Sequence, residues 1–218
     1  MSLSDYFPVW DKLNASEREA LSNAVLLRTA PKGTLLHSNS SDCVGLFVVR
    51  TGQMRAFILS EDGKEITLYR LFERDICLFS ASCMISSLQF EVSVEAEKDT
   101  EFWLIPADYY RKLMDGSAAV ANFTNQLMAS RFSEVMWLID QVLFKRFDAR
   151  LASFLLEESR ISGEDELAIT HEKIANHMGT AREVVTRMLR YFQSEGMVGL
   201  TRGEIRITDR KKLEKLAG

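Results

Sequence analysis

The sequence predicts an α+β chain in three parts: an N-terminal antiparallel double-stranded β-helix, or jelly roll, over 1–116, a long central helix over 117–144, and a C-terminal winged helix-turn-helix over 145–218. Three observations predict it. Short alternating apolar runs broken by turn residues fill positions 30–106. A stretch without proline or glycine follows at 117–144. The tail from 170 repeats apolar residues at the three-to-four spacing of two short amphipathic helices.

The runs of the roll are Thr34–His37, Val44–Arg50, Gln53–Leu59, Glu65–Phe72, Phe90–Ala96 and Thr100–Ile105. Glu61-Asp62-Gly63-Lys64 reads as a hairpin turn by residue type, and Gly52 marks another. Strands so rich in Phe, Val, Leu and Ile each bury one face and leave a space between sheets where a small ligand could sit.

In the central stretch Val120, Phe123, Leu127, Phe132, Val135, Trp137, Leu138, Ile139 and Val142 cover more than one helical face. A helix apolar on two sides needs two partners. One is the roll; the other is the same helix of a second subunit, which makes this a dimerisation helix. A buried helix of a monomer is the alternative. The hinge to the next part is expected near Lys145–Asp148, with Asp148 capping the following helix.

Within 170–190, Ile174, Ala175 and Met178 share one face of a first helix, and Val184, Val185, Met188 and Leu189 repeat the pattern on a second. Thr170 is placed to cap the first helix and Thr180 the second, while Gly179 allows the positive φ of the turn between them. The second helix then exposes Arg182, Glu183 and Arg187. An arginine can hold guanine O6 and N7, and a glutamate can accept from cytosine N4, so this pair of helices reads as a DNA reader. A solvated charged face is the other reading. Beyond it, 196–209 alternates around Arg202-Gly203-Glu204 as a two-stranded hairpin, and helix-turn-helix plus hairpin is a winged helix.

The charge is partitioned to match. The chain is acidic, with 27 Lys and Arg against 31 Asp and Glu, yet residues 170–218 hold ten basic and six acidic residues. A positive end attracts phosphates, at the cost of an affinity that falls with salt. Arg210-Lys211-Lys212, with Lys215, is either a phosphate contact or a solvated last helix.

The stretches GTAREVVTRML and GMVGLTRGEIRITD resemble the DNA-binding end of Crp/Fnr transcription regulators. Asp148-Ala-Arg-Leu-Ala-Ser-Phe-Leu-Leu is similar to the helix that opens that domain, and Gly45-Leu-Phe-Val-Val-Arg-Thr-Gly52 to a strand and turn of the family's sensor roll, so the resemblance covers nearly the whole chain. It implies that Arg182, Glu183 and Arg187 contact bases and that Thr170 and Thr180 help hold phosphates; His171 and Arg202 join the expected phosphate contacts. It implies a homodimer on a palindromic operator, with RNA polymerase as a further partner. Ala181 departs from the family, standing where many members carry a serine that touches the backbone.

The ligand of the roll is less legible. Cyclic-nucleotide members carry a glycine-glutamate pair near the ribose and an arginine at the phosphate, and the matching stretch from Arg74 to Ala96 has neither, Arg74 standing at its start. A buried phosphate without such a partner would be costly, so no cAMP binding is expected. The iron-sulfur members bind their cluster largely through N-terminal cysteines; residues 1–42 contain none, so that cluster is not expected either. Cys77 and Cys83, with Cys43, could make a thiol, metal or haem sensor, or be small buried apolar residues. Ser80, Ser82, Ser86 and Ser87 crowd the same loop and are ligand contacts or turn residues. No metal site is expected.

A cupin-like small-molecule-binding or metal enzyme is the alternative for a roll of this kind. His37 is the one histidine in the roll, and no nucleophile elbow, P-loop or dinucleotide fingerprint is present. His171 and His177 belong to the DNA-reading segment, His177 facing solvent or a neighbouring helix. No stretch reaches the roughly 18 apolar residues of a span, and the N-terminus lacks a signal-peptide pattern, so a cytoplasmic, bacterial DNA-binding regulator without catalysis is expected. Three cysteines fit reduced thiols.

Overall fold

The computed structural model describes residues 2–38, 44–84 and 91–218. It divides into two compact units, one of Met1–Leu59 with Leu68–Val135, the other of Ser60–Thr67 with Met136–Gly218.

The first unit opens with two short 3-10 turns and α1 (Ala15–Ala24). Asn14 starts that helix with a capping box: its side chain accepts from the Glu17 amide at 2.9 Å, and Glu17 Oε2 accepts from the Asn14 amide at 2.8 Å. Eight strands follow among the described residues: β1 (Leu26–Ala30), β2 (Leu35–His37), β3 (Leu46–Thr51), β4 (Met54–Leu59), β5 (Glu65–Leu71), β6 (Ile76–Cys77), β7 (Ser93–Ala96) and β8 (Thr100–Ile105). They form two four-stranded sheets, ordered β1-β8-β3-β6 and β2-β7-β4-β5. The mixed helix and antiparallel-sheet architecture is the expected one.

Both faces of the first sheet are buried at β3 and β8. Phe47, Val49 and Phe102 point to the other sheet and pack with Met54, Ala56, Leu71 and Val94; Leu46, Val48, Trp103 and Ile105 pack outward against Phe7, Tyr110 and Val120. That double burial is why β3 reads as a continuous apolar run instead of an alternating one. Gly52, after β3, has φ +92°, and a Cβ there would stand 2.4 Å from the Asp99 carbonyl oxygen, so only glycine fits the turn.

After α2 (Ala107–Gly116) comes α3 (Ala118–Phe144), the long helix expected at 117–144. Its first half buries Val120, Thr124 and Arg131, with Phe123, Leu127 and Met128 against the outer core. Its later residues are bare: Phe132, Trp137, Leu143 and Phe144 are 64–80% exposed.

The second unit contains α4 (Phe147–Ser162), β9 (Glu166–Leu167), α5 (His171–Met178), α6 (Arg182–Ser194), β10 (Val198–Thr201), β11 (Glu204–Ile207) and α7 (Arg210–Ala217). Leu151, Leu155, Ile174, Val185, Leu189, Phe192, Ile205 and Leu213 form its core. The expected hairpin is present, β10 pairing antiparallel with β11 around Arg202 and Gly203, and β9 extends it to a three-stranded sheet by pairing Leu167 and Glu166 with Ile205 and Arg206. Two caps differ. Ala181, not Thr180, occupies the N-cap of α6 and gives it no side-chain bond. Arg146 occupies the N-cap of α4, while Asp148 sits inside the first turn and takes the Arg146 guanidinium at 2.8 Å.

Candidate nucleic-acid interface

The turn between α5 and α6 is built by local rules. Thr170 accepts from the Lys173 amide at 3.2 Å, as its place before the helix predicts. Gly179 ends α5 with φ +66°, the left-handed conformation that glycine adopts without penalty. Behind the turn Arg150 donates to the Met178 carbonyl at 2.9 Å. Ile66, in the hairpin end that belongs to this unit, lies on the turn itself, bridging to Met178 in β fashion. Val185 and Leu189 anchor the inner face of α6 at 0% exposure.

That anchoring turns Arg182, Glu183, Arg187 and Arg190 outward, all exposed. Arg182 Nε stands 4.0 Å from Glu172 Oε2, a loose pair between two side chains about two-thirds exposed. Such a pair is screened by solvent and yields readily to a base or phosphate. The first turn of α6 has no side-chain cap, and amides so placed suit an anion. Arg202 is exposed at the tip of the wing and Thr180 half-buried in the turn. Arg190 was not among the expected contacts, although its position three residues beyond Arg187 continues the same stripe.

Of the two histidines of this segment, His177 takes the second of its expected places, against a neighbouring helix and not in solvent: it is 6% exposed, its ring is 5.4 Å from that of Phe154 on α4, and its Nδ1 is 2.8 Å from Thr67 Oγ1. His171 Nδ1 is 2.9 Å from Thr186 Oγ1 on α6. Burial, with the charges of Arg182 and Arg190, holds the His171 imidazole below its ordinary pKa. Nothing in the sequence marks Thr186 as its partner.

The basic cluster of the last helix is partly committed. Arg210 donates to Ser159 Oγ and to Asp165 Oδ1, and Lys212 Nζ donates to the Glu195 carbonyl at 2.9 Å. Those two residues tie α7 to its own unit, while Lys211 and Lys215 have no such bond among the described residues.

In the first unit, two of the expected effector residues meet. Cys77 and Ser80 are both 0% exposed, and the Ser80 hydroxyl donates to the Cys77 carbonyl at 2.9 Å. The side chains of Ser82 and Cys83, and all of Cys43, Ser86 and Ser87, lie outside the described residues. Two further residues join them that sequence reasoning missed. Arg131 lays its guanidinium 4.4 Å from the Tyr69 ring centroid, donates to both oxygens of Glu134 at 3.0 and 2.8 Å, and reaches the Ile76 carbonyl at 3.4 Å. Tyr69 Oη and Arg131 Nε are buried without a hydrogen-bond partner among the described residues. Burial pushes the Cys77 thiol up, with Ser80 and Arg131 only partly opposing it, which makes it a poor thiolate. Arg74 is engaged elsewhere, over the Tyr6 ring at 5.5 Å. No group of three metal-binding side chains occurs among the described residues, and no described helix is long and apolar enough to cross a membrane.

The comparisons with known proteins agree with this geometry. Residues 149–216 match the Crp-like helix-turn-helix domain and residues 27–117 the cyclic nucleotide-binding domain. The chain is 57% identical to a solved Crp/Fnr-family transcriptional regulator from Eubacterium rectale, over 98% of this chain and 99% of that one, with a TM-score of 0.96. It is 28% identical to the cyclic AMP receptor protein of Thermus thermophilus over 87% of each chain. It is 28% identical to the fumarate and nitrate reduction regulatory protein of Escherichia coli, over 94% of this chain and 84% of the relative.

Proposed function

This chain belongs to the Crp/Fnr family of transcription regulators, and on that premise we propose that it acts as a homodimer reading a palindromic operator under control of a signal received in the roll. One observation carries the DNA-reading part: Arg182, Glu183, Arg187 and Arg190 stand exposed on a helix whose opposite face is locked by Val185 and Leu189. Arg182, Glu183 and Arg187 read bases; Thr170, His171, Thr180 and Arg202 hold phosphates, with Arg190 added to them. Two such helices about a two-fold axis reach successive major grooves about 34 Å apart.

The signal enters at Tyr69, Cys77, Ser80 and Arg131. Two buried polar atoms without partners are costly unless something completes them, and a small polar or anionic molecule would do so. With Arg74 engaged at Tyr6 and the thiol pKa raised, neither cAMP nor a thiolate is the reading adopted. The signal then shifts α3 and the spacing of the recognition helices. The protein is not an enzyme; it works in the cytoplasm, where bacterial DNA is, with RNA polymerase as its further partner.

Selection of bound duplexes from a random pool tests this. The expected product is a palindrome with half-sites centred about 10 base pairs apart. Unselective recovery of all sequences would reduce the protein to a non-specific binder.

A further inference from the structure

His171 and Thr186 join the two helices of the reader at a point where neither is held by the core. His171 is the first residue of α5, and Thr186 is in the second turn of α6, four residues from Arg182 and four from Arg190. Their 2.9 Å contact occupies Nδ1 and leaves Nε2 without a partner among the described residues. Both residues are only half-buried, so the contact lies at the surface that α6 turns to DNA.

We propose that His171 and Thr186 form a proton-linked clamp: Thr186 positions the imidazole, and His171 takes a proton from solvent when a backbone phosphate arrives at Nε2, so that operator binding tightens on acidification. In the doubly protonated ring Nδ1–H donates to Thr186 Oγ1 and Nε2–H to a phosphodiester oxygen. This rests on the DNA-reading proposal above.

The charges around the ring favour the change. In the free protein Arg182 and Arg190 face His171 from α6 and oppose its protonation. On its own helix Glu172 is turned toward Arg182. A phosphate beside the ring, with base and phosphate partners taken by the two arginines, reverses the sign of the local field. The free protein therefore carries a neutral imidazole at neutral pH and the complex a charged one. By linkage, each proton taken up steepens the association constant by up to about tenfold per pH unit. A dimer takes up two.

The test is operator binding by fluorescence anisotropy from pH 8.5 to 5.5 at fixed ionic strength, with the His171 ring followed by NMR in the free and bound protein. The wild type is expected to bind about tenfold or more tightly at pH 6 than at pH 7.5, and the ring signal to titrate at higher pH in the complex. His171→Asn, whose amide can still meet Thr186 but cannot titrate, should lose the slope. Thr186→Val should keep a titrating ring but bind operator and random duplex alike several-fold more weakly at pH 6, as loss of a positioned phosphate contact does. A slope that survives His171→Asn, or a ring that titrates alike in both states, overturns the proton linkage; an unchanged operator affinity at pH 6 in Thr186→Val overturns the clamp. Specific binding with no pH slope would sink this proposal alone, whereas no specific binding at any pH would sink the DNA reading itself. Thermal melts of both variants separate these outcomes from misfolding.

Discussion

The guanidinium of Arg131 lies over the ring of Tyr69, 4.4 Å from its centroid, and both side chains are more than nine-tenths buried. The phenol oxygen beside it has no hydrogen-bond partner among the described residues. Tyr69→Phe is therefore expected to leave thermal stability unchanged or raise it by up to about 1 kcal/mol, since it deletes an unpaired buried hydroxyl. Arg131→Ala removes the stacked cation and leaves a void, and should cost about 2–4 kcal/mol. Denaturant melts of the two variants check this. A Tyr69→Phe variant destabilised by more than about 1 kcal/mol would mean that the hydroxyl has a bound partner.

Arg182→Ala should weaken operator binding by about 1–3 kcal/mol and random duplex far less. Equal loss on both would make Arg182 a phosphate contact. Titrations of both duplexes across several salt concentrations separate the two, because loss of a phosphate contact lowers the salt slope and loss of a base contact does not.

Gly179→Ala should destabilise the reader by about 1–3 kcal/mol, from two causes that can be told apart. The φ of +66° is strained for any residue with a Cβ, and that Cβ would stand 3.0–3.3 Å from three side-chain atoms of Ile66. Ile66→Ala removes two of those atoms. In a double-mutant cycle the Ile66→Ala background should therefore recover part of the loss and leave the backbone part. Additive losses would show that Ile66 moves aside without cost.

Arg210 and Ser159 hold the Asp165 carboxyl below its ordinary pKa, the hydrogen bond from Arg210 being the larger cause. A depressed folded pKa means stability that is present above the unfolded value near 4 and lost as pH falls through the folded one. Asp165→Asn should thus lower Tm at pH 7 and converge on wild type as pH falls through the depressed folded pKa. The pair is about half exposed, so added salt should shrink the difference at pH 7.

The reader was legible because its rules are local. Thr170, Gly179 and the apolar stripe of α6 each act within a few residues, and the structure has them in the expected places. The failures are equally physical. β1 escaped notice because four of its five residues are exposed and nothing alternates, and β9 is two residues long, too short for a period. The cap of α6 went to Ala181 because Thr180 is spent in the turn. Arg131, Tyr69 and Cys77 lie dozens of residues apart, and His171 and Thr186 on separate helices, so no spacing announces either contact.

The later half of α3 leaves Phe132, Trp137, Leu143 and Phe144 exposed at 68, 64, 67 and 80%, with Met136, Ile139 and Val142 at 40–46%. Seven large apolar side chains within thirteen residues are far more than scattered exposure on a monomer, and a symmetric partner helix would cover them. Trp137→Glu would place a charge where the dimer proposal buries an indole. Burial of one such side chain is worth about 2–3 kcal/mol, and the two-fold repeats the loss, so the dimer should weaken at least about a hundredfold. Sedimentation velocity at micromolar concentration should then show monomers for Trp137→Glu and dimers for the wild type. Because a lone recognition helix reaches one half-site only, the same variant should lose its preference for a full palindrome over a half-site. Monomeric wild type in that experiment would overturn the dimer and leave the apolar face to another partner.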